Sequence, residues 1–255
     1  MSGEPQPTFA LVIPAYNEAA TIRDVVIRAL AHVEPVIVVD DGSTDGTADV
    51  LADLPVTVLR NPRNQGKAAS LRLGLARALR NGASAVITLD GDGQHEPEDI
   101  PRLVSASLKN PGCIVVGTRL HEKDNIPRAR YLANRFANFC VMLAAGRWYP
   151  DSQSGFRIYP ASVLRALELE GNHSARFVFD TEILVDATYM GVASVAVPIA
   201  AIYGPQTRLS YFRPVRDLLL IGRMLTWKLL SRRLSLRRLL SPARRQNRAR
   251  ESEPA

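Results

Sequence analysis

Near-continuous apolar runs at residues 9–13, 36–39, 56–59, 86–89 and 113–116 are too short for helices and rich in β-branched residues, so they read as strands. Helical patterns lie between them. The first runs from an N-cap candidate at Asn17 to about residue 32, and the second is capped by Ser43 or Thr44 and runs through Leu51. A third covers 66–79, rich in Ala, Leu and Arg and stopped at Asn81-Gly82, and a fourth covers 97–108 with proline in its first turn. Strands apolar on both faces and alternating with helices require a parallel sheet covered on both sides. The expectation is an α/β fold: a Rossmann-like, mostly parallel sheet flanked by helices.

Open sheets of this kind bind ligands outside the carboxyl ends of their strands. Three of those ends carry polar turns: Pro14-Ala15-Tyr16-Asn17-Glu18, Asp40-Asp41-Gly42-Ser43 and Asp90-Gly91-Asp92-Gly93-Gln94. In the last, Asp90 and Asp92 are two residues apart, so extended backbone points both carboxylates the same way. Two convergent carboxylates make a hard oxygen site suited to Mg²⁺ or Mn²⁺ carrying a diphosphate. Gly91 and Gly93 leave room for ligand and metal at the main chain, and Gln94 adds a neutral oxygen. An ordinary Asp-Gly turn is the bland alternative. A calcium loop is excluded, because its glycine position holds His95 and its closing glutamate position holds Pro101. The paired aspartates after the second strand suit ribose hydroxyls or a base edge, since ionised carboxylates only accept hydrogen bonds. Neither GxGxxG nor GxxxxGK[ST] is present, which argues against a dinucleotide oxidoreductase or a P-loop ATPase.

The net charge of +7 is unevenly placed. Residues 213–255 carry twelve Lys+Arg against three Asp+Glu, a local +9, and the rest of the chain is near neutral. Leucines interleave with those arginines, so the segment reads as a basic amphipathic helical tail with a disordered end, too charged to span a bilayer but suited to its interface. A body without a basic groove disfavours nucleic acid as a partner. The two cysteines, Cys113 and Cys140, match no metal spacing and no secreted disulfide framework. With no signal-peptide pattern and no run of roughly 18 to 20 apolar residues, the expectation is a cytoplasmic protein, peripheral on the inner face of the cytoplasmic membrane. Residues 1–212 form the domain and 213–255 the tail.

Taken together, the motifs resemble the family 2 glycosyltransferases of GT-A fold, in particular the dolichyl- and polyprenyl-phosphate sugar synthases. The text that carries the resemblance is Ile13-Pro14-Ala15-Tyr16-Asn17-Glu18, Val39-Asp40-Asp41-Gly42-Ser43-Thr44-Asp45-Gly46-Thr47, Asn64-Gln65-Gly66-Lys67, Leu89-Asp90-Gly91-Asp92-Gly93-Gln94, Gly117-Thr118-Arg119 and Asp151-Ser152-Gln153-Ser154-Gly155-Phe156-Arg157. The resemblance implies that Pro14, Tyr16 and Glu18 line the nucleotide pocket and that Val39 and Asp41 touch base and ribose. Asp90, Gly91 and Asp92 would be the family's DxD element, with Asp92, Gln94 and Asp90 around Mg²⁺ or Mn²⁺. Arg119 would face the donor phosphate or the acceptor. Asp151 would be a base on an acceptor hydroxyl, or would orient the acceptor or hold an arginine if the acceptor is an already anionic phosphate; a turn cap is its bland alternative. Glu182 stands where the family tends to carry an acidic residue, and Arg157 would join the phosphate-binding group.

Two further stretches bear on the acceptor. Residues 127–147 form an amphipathic helix that either packs on the core with a solvated basic face or uses Arg135 and neighbours to receive an anionic lipid head. After Val197-Pro198-Ile199 the eukaryotic-type Ser-Lys pair is missing. The text instead resembles a bacterial subgroup with Ser210, Phe212, Pro214 and Asp217, and Arg208 or Arg213 would replace the missing cations over the diphosphate. The implied function is metal-dependent, inverting transfer of a sugar from a nucleotide-sugar donor to a lipid or polyprenyl-phosphate acceptor at the cytoplasmic face of an anionic membrane. A soluble or polysaccharide acceptor, or a non-catalytic nucleotide-sugar-binding protein, are the alternatives. A sugar-phosphate nucleotidylyltransferase would need a Gly-rich basic loop where Pro14-Ala15-Tyr16-Asn17-Glu18 stands.

Overall fold

Seven strands form one mixed sheet in the order β3-β2-β1-β4-β6-β5-β7. The structure, a computed structural model, describes residues 7–119, 128–167, 179–200 and 202. The strands are β1 (Phe9–Ala15), β2 (Val36–Asp40), β3 (Thr57–Arg60), β4 (Ala85–Thr88), β5 (Ile114–Thr118), β6 (Arg157–Pro160) and β7 (Ser194–Pro198). The helices are α1 (Ile22–Leu30), α2 (Lys67–Arg80), α3 (Ile100–Lys109), α4 (Arg128–Ala145), α5 (Ala161–Ala166) and α6 (Phe179–Tyr189).

The period of two along each strand divides the core between the two faces of the sheet. Ala10, Val12, Ile37, Val39, Val86 and Tyr159 pack under α2, α4, α5 and α6. Their neighbours Leu11, Ile13, Val36, Val38, Ile87 and Ile158 pack under α1 and α3. Such two-sided burial is why β1, β2, β4 and β5 read as unbroken apolar runs.

Two expected elements differ. Asn17 does not cap α1, which starts at Ile22 after Thr21. Asn17 instead has φ +54° and reaches across to the next loop, its N–H donating to Ser43 Oγ (2.8 Å) and its Oδ1 accepting from the Thr44 N–H (2.9 Å). The expected helix after Ser43 shrinks to a single 3₁₀ turn, Asp49–Leu51, because the polar side chains that would have capped it hold the β1 loop.

Strand β6 went unseen in the sequence. It is short, opens on an arginine and closes on a proline. It inserts antiparallel between β4 and β5, whereas the other pairs are parallel. That reversal brings the segment before β6 to the same edge as the segments after β1, β2, β4 and β5, so Asp151 to Phe156 joins the strand-end turns.

Helix α2 lies so close to the sheet that a Cβ on Gly74 would fall 2.4 Å from Val12 Cγ1 and 3.0 Å from Val39 Cγ2. Alanine is the better helix former by about 1 kcal/mol, but overpacking a closed core costs about 1–3 kcal/mol. Gly74→Val is therefore expected to lower the melting temperature by several degrees, at roughly 2–4 °C per kcal/mol for a chain this size, as scanning calorimetry would show.

Candidate active site

The first two strand-end loops are stitched together. Besides the Asn17 bridge, the Glu18 N–H donates to Thr47 Oγ1 (2.8 Å) and the Ala19 N–H to Asp45 Oδ2 (3.0 Å). Burial disfavours the Asp45 carboxylate, but the Thr47 hydroxyl and the N–H groups of Ala19 and Thr47 outweigh it and hold its pKa below the usual range. Pro14, Tyr16 and Glu18 stand on this braced loop, Glu18 buried and the other two half-buried. Asp41 performs a second clamp: it accepts from Asn61 Nδ2 (2.8 Å) and from the N–H groups of Gln65 (3.0 Å) and Gly66 (2.7 Å). Expected at the ribose, Asp41 is thus already committed to shaping the turn that starts α2. Val39, expected at the base, points its side chain into the core beneath Gly74, and its main chain lies in the sheet between Pro14 and Leu59.

The acidic turn after β4 is held from four sides. Asp90 Oδ1 lies 2.6 Å from Lys67 Nζ at the first residue of α2, and the same ammonium lies 3.3 Å from Asp180 Oδ2 on α6. Gly155 backs the Asp90 carboxylate so tightly that a Cβ there would sit 2.3 Å from Oδ2. Thr21 Oγ1 donates to the Gly91 carbonyl (2.8 Å), and the Gln94 N–H donates to Asp92 Oδ1 (3.1 Å). His95 is buried edge-on to Phe156, with centroids 5.6 Å apart. Gly91, expected to make room for a ligand, is needed for packing instead: its missing Cβ would lie 2.9 Å from Ile22 Cδ1.

The two carboxylates differ in charge environment. Burial raises the pKa of Asp90, yet the charges of Lys67 and His95 prevail and hold it below the usual range. Asp92 is pushed up, first by burial and then by the charge of Asp90 beside it. The charges of Lys67 and Arg119 pull Asp92 the other way without outweighing these two. No group of three or more His, Cys, Asp or Glu that could hold a metal occurs among the described residues. The arrangement fits an Mg²⁺-like ion, which takes one or two carboxylates and fills its remaining positions with water and phosphate oxygens. Gln94 is buried beside Asp92, and its Nε2 has no partner among the described residues.

At the β5–β6 side, Asp151 and Arg119 form a buried pair. Asp151 accepts from Arg119 through Nε (3.2 Å) and the main-chain N–H (3.3 Å), and from the Gln153 N–H (3.3 Å). Asp151 is thus the carboxylate that holds an arginine. Arg157, expected to meet a phosphate, is sealed in the core and braces the loop instead. It donates to the carbonyls of Ser154 (2.7 Å), Ser152 (2.8 Å) and Asp180 (2.5 Å) and to the Tyr159 hydroxyl (3.1 Å). Asn138 of α4 completes the support, donating to the Pro150 carbonyl (2.7 Å) and accepting from Ser152 N–H (2.8 Å) and Oγ (2.7 Å). Glu182 is buried in the first turn of α6. Arg135 is exposed on α4 and donates to the Tyr131 hydroxyl at 3.3 Å; none of its described contacts reaches the site. Arg208, Arg213 and the whole tail lie outside the described residues.

Sequence reasoning missed Lys67, Asp180, His95 and Asn138. Lys67 was visible in Asn64-Gln65-Gly66-Lys67 but carried no role, because its partners are distant in the chain. Asn138 left a weaker signal: a polar residue on the apolar side of a helix.

A mostly parallel seven-stranded sheet with one antiparallel insertion, its polar turns gathered at the carboxyl edge, is the GT-A fold. The glycosyl transferase family 2 model matches residues 10–167, and the chain belongs to that family. It is 31% identical over 214 residues to a UDP-N-acetylglucosamine–dolichyl-phosphate N-acetylglucosaminyltransferase of Methanococcus voltae, covering 76% of this chain and 85% of that one. It is 29% identical over 198 residues to an undecaprenyl-phosphate mannosyltransferase of Micrococcus luteus, covering 74% and 81%. The fold is shared with glucosyl-3-phosphoglycerate synthase of Mycobacterium tuberculosis, solved with Mn²⁺, uridine diphosphate and glucosyl-3-phosphoglycerate. The TM-score is 0.59 at 24% identity over 89% of this chain and 80% of that one.

A methyl at residue 155 would have to displace the Asp90 carboxylate. Gly155→Ala is expected to reduce sugar transfer on the order of 10²-fold, the penalty for misplacing a site group by about 1 Å. Parallel turnover and melting measurements check this; unchanged turnover would show that Asp90 needs no fixed position.

Proposed function

We propose that the protein transfers a sugar, with inversion, from a nucleoside-diphosphate sugar to a polyprenyl-phosphate acceptor at the cytoplasmic face of the membrane, and that the transfer depends on a divalent cation. The observation that carries this reading is the Asp90–Asp92 pair, with Lys67 against Asp90 and the Asp92 carboxyl pushed up by burial and by Asp90 beside it. The relatives named for dolichyl- and undecaprenyl-phosphate acceptors support the acceptor class, and the synthase solved with Mn²⁺ and uridine diphosphate supports the donor class. No helix among the described residues is long and apolar enough to cross a membrane, which is compatible with peripheral attachment.

Asp92, with Gln94 and Asp90, would hold the ion, and a bound Mg²⁺ or Mn²⁺ would neutralise the charge that builds on the departing nucleoside diphosphate. Lys67 keeps Asp90 ionised and fixes it against Gly155, so the acidic turn keeps its shape before the donor arrives. The loop of Pro14, Tyr16 and Glu18 forms the nucleotide side, braced by Ser43, Thr44 and Thr47. Glu182, buried in the first turn of α6, would be a further acidic group of the site. A phosphate acceptor is already anionic at neutral pH, so it needs no base. Its oxygen attacks the anomeric carbon opposite the leaving diphosphate, forming the new C–O bond as the old one breaks. Asp151 then serves as a positioning residue that orients Arg119 toward the phosphates.

Mass spectrometry of products from a panel of nucleotide sugars with a polyprenyl phosphate tests the reading. Asp92→Ala should fold but lose several kcal/mol of barrier lowering, and chelator should abolish wild-type turnover reversibly. Asp151→Asn separates the acceptor classes. With a phosphate acceptor the loss should appear mainly in acceptor KM, whereas a base for a hydroxyl would cost about 10²- to 10⁴-fold in kcat. Transfer to soluble sugars alone would overturn the lipid-phosphate assignment.

A further inference from the structure

Helix α4 is apolar on two opposite sides. Ala137, Val141 and Ala145 face the core, packed with residues of α6. On the other side Leu132, Phe136, Phe139 and Leu143 follow one another at four-, three- and four-residue steps and so form a single stripe. Their exposures, from 43% to 66%, are those of a surface in water, and Trp148 beyond the helix end adds another ring at 48%. Among the described side chains, Arg135 lies exposed beside the stripe. A helix that is apolar all round is ordinarily covered.

We infer that this stripe is a membrane-docking surface, inserted among the headgroups of an anionic bilayer independently of the tail; this rests on the lipid-phosphate reading above. Charge favours lipid over a protein partner or a second copy. The eighteen residues of α4 include three arginines and no Asp or Glu. Aromatic and leucine side chains flanked by arginine are the composition of helices that lie in the headgroup region. A second copy would set arginine against arginine around the same stripe. The helix that bears the stripe also supports the Asp151–Arg119 pair from its inner side. Asn138, on the inner side of α4, holds Pro150 and Ser152, which flank the Asp151 that pairs with Arg119. A helix lying in the interface would therefore bring that pair down to the level of lipid phosphates.

The test uses the full chain and its Phe136→Gln/Phe139→Gln variant, sedimented with vesicles of phosphatidylglycerol and phosphatidylcholine. The variant should partition on the order of 10- to 100-fold less, as expected for two half-exposed rings that no longer leave water. Brominated lipid should quench Trp148 in a Trp227→Phe background and do so less in the double variant. Equal partitioning would mean that the tail alone anchors the protein and would overturn the proposal. So would a lower melting temperature with stronger vesicle binding in the variant, the mark of a tail released from the stripe. A wild-type dimer that the substitutions dissociate would assign the stripe to a second copy. A water-soluble short-chain polyprenyl phosphate separates the two readings. If wild type and variant both transfer sugar to it equally, the lipid-phosphate reading stands whatever the vesicles show; if neither does, that reading fails while the vesicle result still decides the docking surface.

Discussion

One ammonium group ties the catalytic edge together. Lys67 Nζ reaches Asp90 from the turn after β4 and Asp180 from α6, segments 23 and 113 residues further along the chain. Taking such charges even partly out of water is costly, and a half-buried ion pair adds little stability of its own. Its value is geometric: it fixes a carboxylate at the sheet edge and keeps it ionised where burial alone would neutralise it. Asp92, two residues on, is driven the other way by the same crowding. The contrast sets two carboxylates, two residues apart, in opposite charge environments.

Lys67 can do this only because its own position is set by Asp41. Three donors from residues 61–66 converge on that carboxylate, and the last of them, the Gly66 N–H, immediately precedes the lysine. The turn has glycine at its end because residue 66 takes φ +94°. A carboxylate anticipated as a ligand contact therefore also shapes the turn that carries Lys67. Arg157 makes the same point. A guanidinium shared among three carbonyls and a phenol is a brace, and removing it would leave those acceptors buried without donors.

The acceptor side depends on topology. Were β6 parallel, the segment from Asp151 to Phe156 would emerge at the far edge of the sheet. Its reversal instead sets Gly155 against Asp90 and Asp151 against Arg119. Asn138 carries that arrangement outward to α4, so the surface of the molecule and the buried pair are linked by a few hydrogen bonds.

Much of this was legible in the linear text. Apolar runs of strand length, spaced by helical patterns, determined a mostly parallel sheet, because no other arrangement buries both faces of such strands. The polar turns at their ends determined which edge carries the site, and the family motifs marked nearly every segment that meets there. Tertiary structure alone decided what each side chain does. Whether Asp41 binds a ligand or a loop, whether Arg157 faces a phosphate or four oxygens of its own chain, and which side of α4 meets solvent all turn on partners far away in sequence. Local pattern records the periodicity of a helix or strand but not the identity of what packs against it. The role of a charged group, set by its nearest opposite charge and its access to water, therefore emerges only when the chain has closed on itself.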